Sequence, residues 1–224
     1  MVSGIEASAI SRRQGRRTTR HDSGRQVLSC RCGRLRGRVE PVRPSNHLVC
    51  YCRDCQAFAH FLGRADDILD ERGGTTVVQT VPAHVVFTDG LAELACMRLS
   101  PRGLLRWYAR CCRTAIGCTP VNPKVSLISL ISDCLPGERG FGQGLESSFG
   151  PIRLRHAIRD AREPVPGPHG ALLPVVLKMM AIIARGRVGG RWRQTPFFDA
   201  SARAPVASPR VLSRGERSAI MHPE

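Results

Sequence analysis

The chain has 224 residues, enough for one domain with tails or for two small domains. Its 34 basic residues outnumber 18 acidic ones for a net charge of +16, and only Lys124 and Lys178 are lysines. The excess is mostly terminal, +4 in residues 1–29 and +8 in residues 151–224, where solvated Arg is the usual explanation, and the +4 left for the middle argues only mildly for nucleic-acid binding. With 22 Gly, 16 Pro and few aromatics, the composition favours strands and turns over long helices. The first 30 residues hold no apolar run of a secretory signal, so the paired spacings among the ten Cys read as metal sites in a reducing, cytoplasmic protein rather than as a disulfide framework.

Residues 1–25 are rich in Arg and Ser without periodicity and are expected to form a disordered basic tail. Residues 27–39 read as a strand: beyond Cys30-Arg31-Cys32-Gly33, Arg34, Arg36 and Arg38 alternate outward while Leu35 and Val39 face in. Residues 41–46 carry two Pro and form a loop. His47-Leu48-Val49 then leads into Cys50-Tyr51-Cys52-Arg53-Asp54-Cys55, three thiols in six residues. Asp54 is expected to cap a short helix over 55–62 that ends at Gly63, with Ala57, Phe58, Phe61 and Leu62 on the face that packs on a sheet. A helix starting there aims backbone N–H groups at the thiols and lowers their pKa. His60 lies about 140° around the axis from Cys55 and is read as a packing residue.

The acidic run Asp66, Asp67, Asp70 and Glu71 does not match a calcium loop and reads as a solvated face. Strands are expected over 75–80, 84–88, 91–98, 104–110 and 125–132, separated by Pro82, Asp89-Gly90 and Ser100-Pro101-Arg102-Gly103. Cys111-Cys112 follows the fourth of these. Gly140-x-Gly142-x-Gly144 has no helix behind it and reads as a flexible loop rather than a phosphate cradle. Pro164, Pro166 and Pro168 form a stiff linker. Ala171–Ala184 is apolar apart from Lys178, too short to span a bilayer, and expected as an amphipathic helix docked on the domain or a partner. The last 30 residues look irregular. The expected division is a tail (1–25), a mainly β zinc-binding domain (26–160), and an appended segment of linker, helix and irregular tail (161–224).

Seven clustered thiols point to metal. Zinc takes four ligands in a tetrahedron with sulfur at roughly 2.3 Å, and Cys two or three residues apart on a turn reach one ion without strain. The candidate ligands are Cys30, Cys32, Cys50, Cys52, Cys55, Cys111 and Cys112.

The order Cys30-x-Cys32-Gly33, Cys50-x-Cys52-x-x-Cys55, then Cys112 followed by Arg113-Thr114-Ala115-Ile116-Gly117 resembles the glutathione-dependent formaldehyde-activating enzyme and centromere protein V family over roughly residues 27–132. Cys50–Gly63 with Arg106-Trp107-Tyr108 is most similar to a bacterial branch of it. The resemblance implies a β-tent of short antiparallel strands with two zinc ions. Cys30, Cys32 and Cys112 would hold a structural ion. Cys50, Cys52 and Cys55 would hold a second with one position open for a thiol. The family's late motif is Cys-x-x-Cys-Gly, whereas this chain has Ala109 and Arg113. The fourth structural ligand must come from elsewhere: Cys111, if the backbone bends, or less suitably Cys118 or Cys96.

Three sulfur donors quench much of an ion's Lewis acidity, so the open position suits a substrate thiol held as thiolate better than water. The expectation is a carbon–sulfur lyase-like activity on a small thiol such as glutathione with an aldehyde, its carboxylates met by Arg106, Arg53 or Arg113. The catalytic set would be Cys50, Cys52 and Cys55. The second reading is a non-catalytic zinc module that binds nucleic acid or a protein partner.

Overall fold

The computed structural model describes residues 24–137 and 140–221. All but two residues of the expected basic tail therefore lie outside the described residues. The protein is mainly β. In chain order it runs β1 (Gln26–Ser29), β2 (Arg36–Val39), β3 (Asn46–Cys50), α1 (Arg53–Phe61), α2 (Ala65–Ile68), β4 (Thr75–Thr80), β5 (Val85–Asp89), β6 (Leu94–Arg98), β7 (Leu105–Ala109) and β8 (Thr114–Thr119). There follow β9 (Ile128–Ile131), β10 (Pro136–Gly137), β11 (Gly140–Phe141), α3 (Glu146–Phe149), β12 (Leu154–His156), α4 (Leu172–Arg187), β13 (Arg210–Val211) and α5 (Arg214–Met221).

Eight strands form the main sheet in the order β12-β3-β4-β9-β8-β7-β6-β13. Pairing is antiparallel except at the two edges, where β12 joins β3 and β13 joins β6 in parallel. A second sheet, β1-β2-β5, packs across it. Between them lie Leu28, Leu35, Leu105, Trp107, Ile116 and Phe197, all buried. The indole N–H of Trp107, which would be costly to leave unpaired there, donates to Thr119 Oγ1 at 3.0 Å. On the other face of the main sheet, Ala57 and Phe58 of α1 and Leu62 just beyond it pack against Met97, Ala115 and Ile131.

Several expectations need correction. The single strand over 27–39 is a hairpin: Cys30–Arg34 turns the chain, with Gly33 at φ +75° and its N–H bonded to Cys30 O at 2.9 Å. The alternation of Leu35 and Val39 against Arg was real, but it belongs to the return strand. Asp54 is not the helix cap. Cys52 occupies that position, because α1 starts two residues earlier than expected, and Asp54 lies in its first turn. Strand β8 was not foreseen. Thr-Ala-Ile-Gly-Cys-Thr is buried on both faces and so shows no alternation. Its Gly117 is required by close approach, since a Cβ there would lie 2.6 Å from Ser129 O of the neighbouring strand. The glycine run 140–144 takes part in structure. Gly140 pairs with Gly137, and all three glycines have positive φ.

The irregular tail is also corrected. Residues 161–221 fold back onto both faces of the sheet. Phe197 is fully buried with its ring 5.1 Å from Trp107, β13 extends the sheet, and α5 packs on α1. Apolar side chains with a core to fill overcame a Pro- and Arg-rich local composition. Among the described residues, no helix is long and apolar enough to cross a membrane.

Candidate metal centres

Two turns build the first cluster. Cys30 and Cys32 sit on the β1–β2 turn, Cys111 and Cys112 on the β7–β8 turn. Their four Sγ atoms all lie within 4.8 Å of one another. Cys30 is 3.5 Å from Cys32 and 3.8 Å from Cys111, Cys32 is 3.4 Å from Cys111, and Cys111 is 3.8 Å from Cys112. A disulfide needs about 2.05 Å, so these thiols are not paired. Four sulfurs at tetrahedral positions around one zinc would be about 3.75 Å apart, so the set fits such an ion.

Cys111 and Cys112 sit together on a tight turn that Arg113 closes. Its φ is +56°, the left-handed region. Polar contacts then fix the sulfurs. The Leu35 N–H donates to Cys30 Sγ at 3.3 Å, and the Thr114 hydroxyl lies 3.1 Å from Cys112 Sγ. Burial alone would raise the Cys112 thiol, but the contacts from Thr114 and Cys32 outweigh it and bring it down to about 6. Behind the cluster, the fully buried Asp133 carboxylate accepts from Arg31 Nε at 2.7 Å and from the Ala115 N–H at 3.0 Å, with Arg64 NH2 at 3.7 Å. Sequence reasoning missed Asp133, a lone acid after an apolar strand, with no local signal of its role.

The second cluster is a strand end meeting a helix start. Cys50 closes β3, and Cys52 and Cys55 span the cap and first turn of α1. Their Sγ atoms also lie within 4.8 Å of one another. The Cys52 thiol is pulled down first by hydrogen bonds from Cys50 and Cys55, and further by a backbone N–H at Cys55 and by Arg106. Its partners move the other way. Cys50 is pushed up to about 12, chiefly by the bond it donates to Cys52, and Cys55 rises as well. Cys52 is thus the sulfur whose thiolate its two neighbours favour by hydrogen bonding. A second and third thiolate need a cation beside them, and that is what a metal supplies. Gln56 anchors the turn, donating to Tyr51 O at 2.7 Å and Asp160 O at 2.9 Å.

The triad opens on a cavity of about 360 Å³ between the main sheet and α4. Of the three arginines singled out from sequence, only Arg106 lines it. Arg53 is exposed and pairs with Asp160 at 3.3 Å, while Arg113 belongs to the other cluster. Arg106 is 3% exposed. Its NH1 donates to Cys118 Sγ at 3.4 Å, its NH2 lies 3.5 Å from Asp54, and its Nε has no partner. Burial disfavours its charged form, but the neighbouring Cys118, Cys55 and Asp54 outweigh that and raise its pKa. Cys118 is therefore a cavity wall rather than a ligand, and Cys96 lies in the core between the sheets. His60 joins neither cluster and lies 3.4 Å from Arg162. The α4 residues Val175, Val176 and Met179 and the strand residue His156 also line the cavity. Nothing in their local sequence placed them there.

Residues 23–208 match the model of a family described as a family of unknown function, DUF6151. The chain belongs to that family. The match takes in both Cys clusters of this DUF6151 protein and continues through α4, past the boundary expected at residue 160. No curated protein and no solved structure matches the chain.

Proposed function

We propose that this DUF6151 protein binds two zinc ions and carries out carbon–sulfur bond chemistry on a small thiol, in the manner of the glutathione-dependent formaldehyde-activating enzyme and centromere protein V family it resembles. The observation that carries the reading is the inequality of the two clusters. One has four sulfurs on crossed turns, the closed set of a structural ion. The other has three sulfurs at the end of a cavity, the set that keeps a position open. All-sulfur donors suit zinc among the common divalent ions. Zinc bound at the triad supplies a place where an incoming thiol loses its proton.

The protein's own groups do the rest. Arg106 sets a buried positive charge in the same cavity lining as the triad, where low dielectric strengthens its attraction for thiolate charge. The apolar cavity walls hold the thiol's organic part. The thiolate sulfur then attacks an aldehyde carbon. The C–S bond forms as the C=O π bond breaks, and the oxygen takes up one proton. No redox partner is needed, and reversal releases the aldehyde.

The test is metal stoichiometry by mass spectrometry, with NMR detection of the S-hydroxyalkyl adduct from a small thiol and formaldehyde. Wild type should carry two zinc ions. Cys112→Ala and Cys52→Ala should each carry one fewer, and only the wild type and Cys112→Ala should accelerate adduct formation. Turnover that survives Cys52→Ala refutes the scheme.

A further inference from the structure

The lining of the cavity selects among thiols. Val77, Ile131 and Leu154 line its sheet side and Val175, Val176 and Met179 its helix side. The only permanent charges in the lining are Asp54 and Arg106, and these lie 3.5 Å from each other. Two of the three Arg106 nitrogens are thus engaged, on Asp54 and on Cys118, and a single buried donor, Nε, is left without a partner. Glutathione would bring two carboxylates, an ammonium group and two peptide units to this wall. Each polar group taken from water without a new partner is penalised, and charged groups most. The other polar side chains of the lining, Gln79, Ser129 and His156, can meet a hydrogen bond but supply no fixed charges for two carboxylates and an ammonium group.

We infer that the thiol accepted at the Cys50 cluster is one with an apolar body, an aryl or branched alkyl thiol without charged groups, held between the sheet and α4. This rests on the thiol-binding reading above and replaces its glutathione-like substrate with a different class. The volume of about 360 Å³ lies in the range of small-molecule sites. Val176 and Met179 then set specificity. Both are half-buried on α4, so the segment after residue 160 forms one wall of the site.

The experiment is calorimetric titration of the zinc-loaded protein with phenylmethanethiol and, separately, with glutathione. Phenylmethanethiol should bind at least about tenfold more tightly, as burial of an apolar ring predicts. Val176→Asp should weaken phenylmethanethiol by about tenfold or more and leave glutathione nearly unchanged. Should that variant fail to fold, Val176→Ala serves, with an expected loss of about threefold in phenylmethanethiol affinity. Equal or tighter binding of glutathione overturns the inference, as does phenylmethanethiol affinity that ignores both changes at Val176. Binding with the expected sensitivities but no adduct with formaldehyde upholds the ligand class and sinks the carbon–sulfur chemistry. Rapid adduct formation from glutathione, with phenylmethanethiol not bound, does the reverse.

Discussion

Removing the Asp133 side chain should destabilise the protein by about 3–5 kcal/mol, the range for breaking a buried ion pair. The carboxylate is 0% exposed and holds Arg31 at 2.7 Å, the Ala115 N–H at 3.0 Å and Arg64 at 3.7 Å. The Arg31 side chain is 32% exposed and Arg64 already holds Asp67 at 2.7 Å, so both recover part of their solvation when Asp133 is lost. Ala115 does not. It is fully buried in β8, and its orphaned N–H alone costs about 1–3 kcal/mol. The charge-assisted bond to Arg31 adds about 1.5–3 kcal/mol. Asp133→Asn keeps an acceptor for Ala115 and should lose about half as much. The assay is equilibrium urea unfolding of zinc-loaded protein, with Asp133→Ala, Asp133→Asn and Arg31→Met. In the double-mutant cycle, Asp133 and Arg31 should couple by about 1–2 kcal/mol. Because Arg31 sits between two candidate ligands, Asp133→Ala should also weaken metal binding at the first cluster by about 10–100-fold. A loss below about 1 kcal/mol, or unchanged metal affinity, would refute the argument.

Arg113→Gly should raise stability by up to about 1 kcal/mol in the same assay, since a left-handed non-glycine residue costs about 1–2 kcal/mol and the greater freedom of unfolded glycine offsets part of that. Phe197→Ala should cost about 3–5 kcal/mol, because its ring is fully buried between Trp107 and Phe87; a change under about 1 kcal/mol would mean that the C-terminal segment is not part of the core. His84 is 2% exposed, and burial first, then Arg191 and Arg185, lower its pKa to about 4. Its folded value lies below its unfolded one, so its contribution is complete above about pH 6.5 and is lost as pH falls toward 4, by about 3 kcal/mol. Unfolding free energies at pH 7 and pH 4 should therefore differ less in His84→Gln than in wild type, and equal differences would exclude this role.

What could be read from sequence was what depends on neighbours in the chain. Cys30–Cys32 and Cys50–Cys55, which the structure gathers into two sulfur clusters, stand out because thiols on one turn must be close in sequence. The strands at 75–80 and 105–109 are bounded by residues with strong turn preferences. What could not be read depends on distant parts of the chain. Strand β8 lacks the two-residue period because both its faces are covered. The edge strands β12 and β13 are two or three residues long and owe their form to the neighbour they join. Phe197-Phe198, a large apolar pair in a polar stretch, was the one overlooked signal that the C-terminal segment returns to the core. The same return gives the second Cys cluster its cavity, since α4 forms the wall opposite the sheet.

The two clusters are also joined mechanically, and not symmetrically. α1 runs about 13 Å from Cys52 at one end to Phe61 at the other. Just past its far end, Arg64 donates to Cys112 O at 3.3 Å and approaches Asp133 at 3.7 Å. The turn that carries the first cluster therefore grips the helix that carries the second. A rigid helix transmits a shift at one end to the other, so disorder at Cys112 displaces Cys52 and Cys55 as well. The converse is weaker. The near end of α1 is held independently, by Gln56 on Tyr51 O and Asp160 O and by the Tyr51 N–H on His156 O at 3.0 Å. In zinc-affinity measurements this should appear as an imbalance, with Cys112→Ala lowering the affinity of the triad for its ion without emptying it, while Cys52→Ala leaves the four-sulfur site at full affinity. The closed cluster would then serve the open one as the frame that keeps three thiols aimed at a single point.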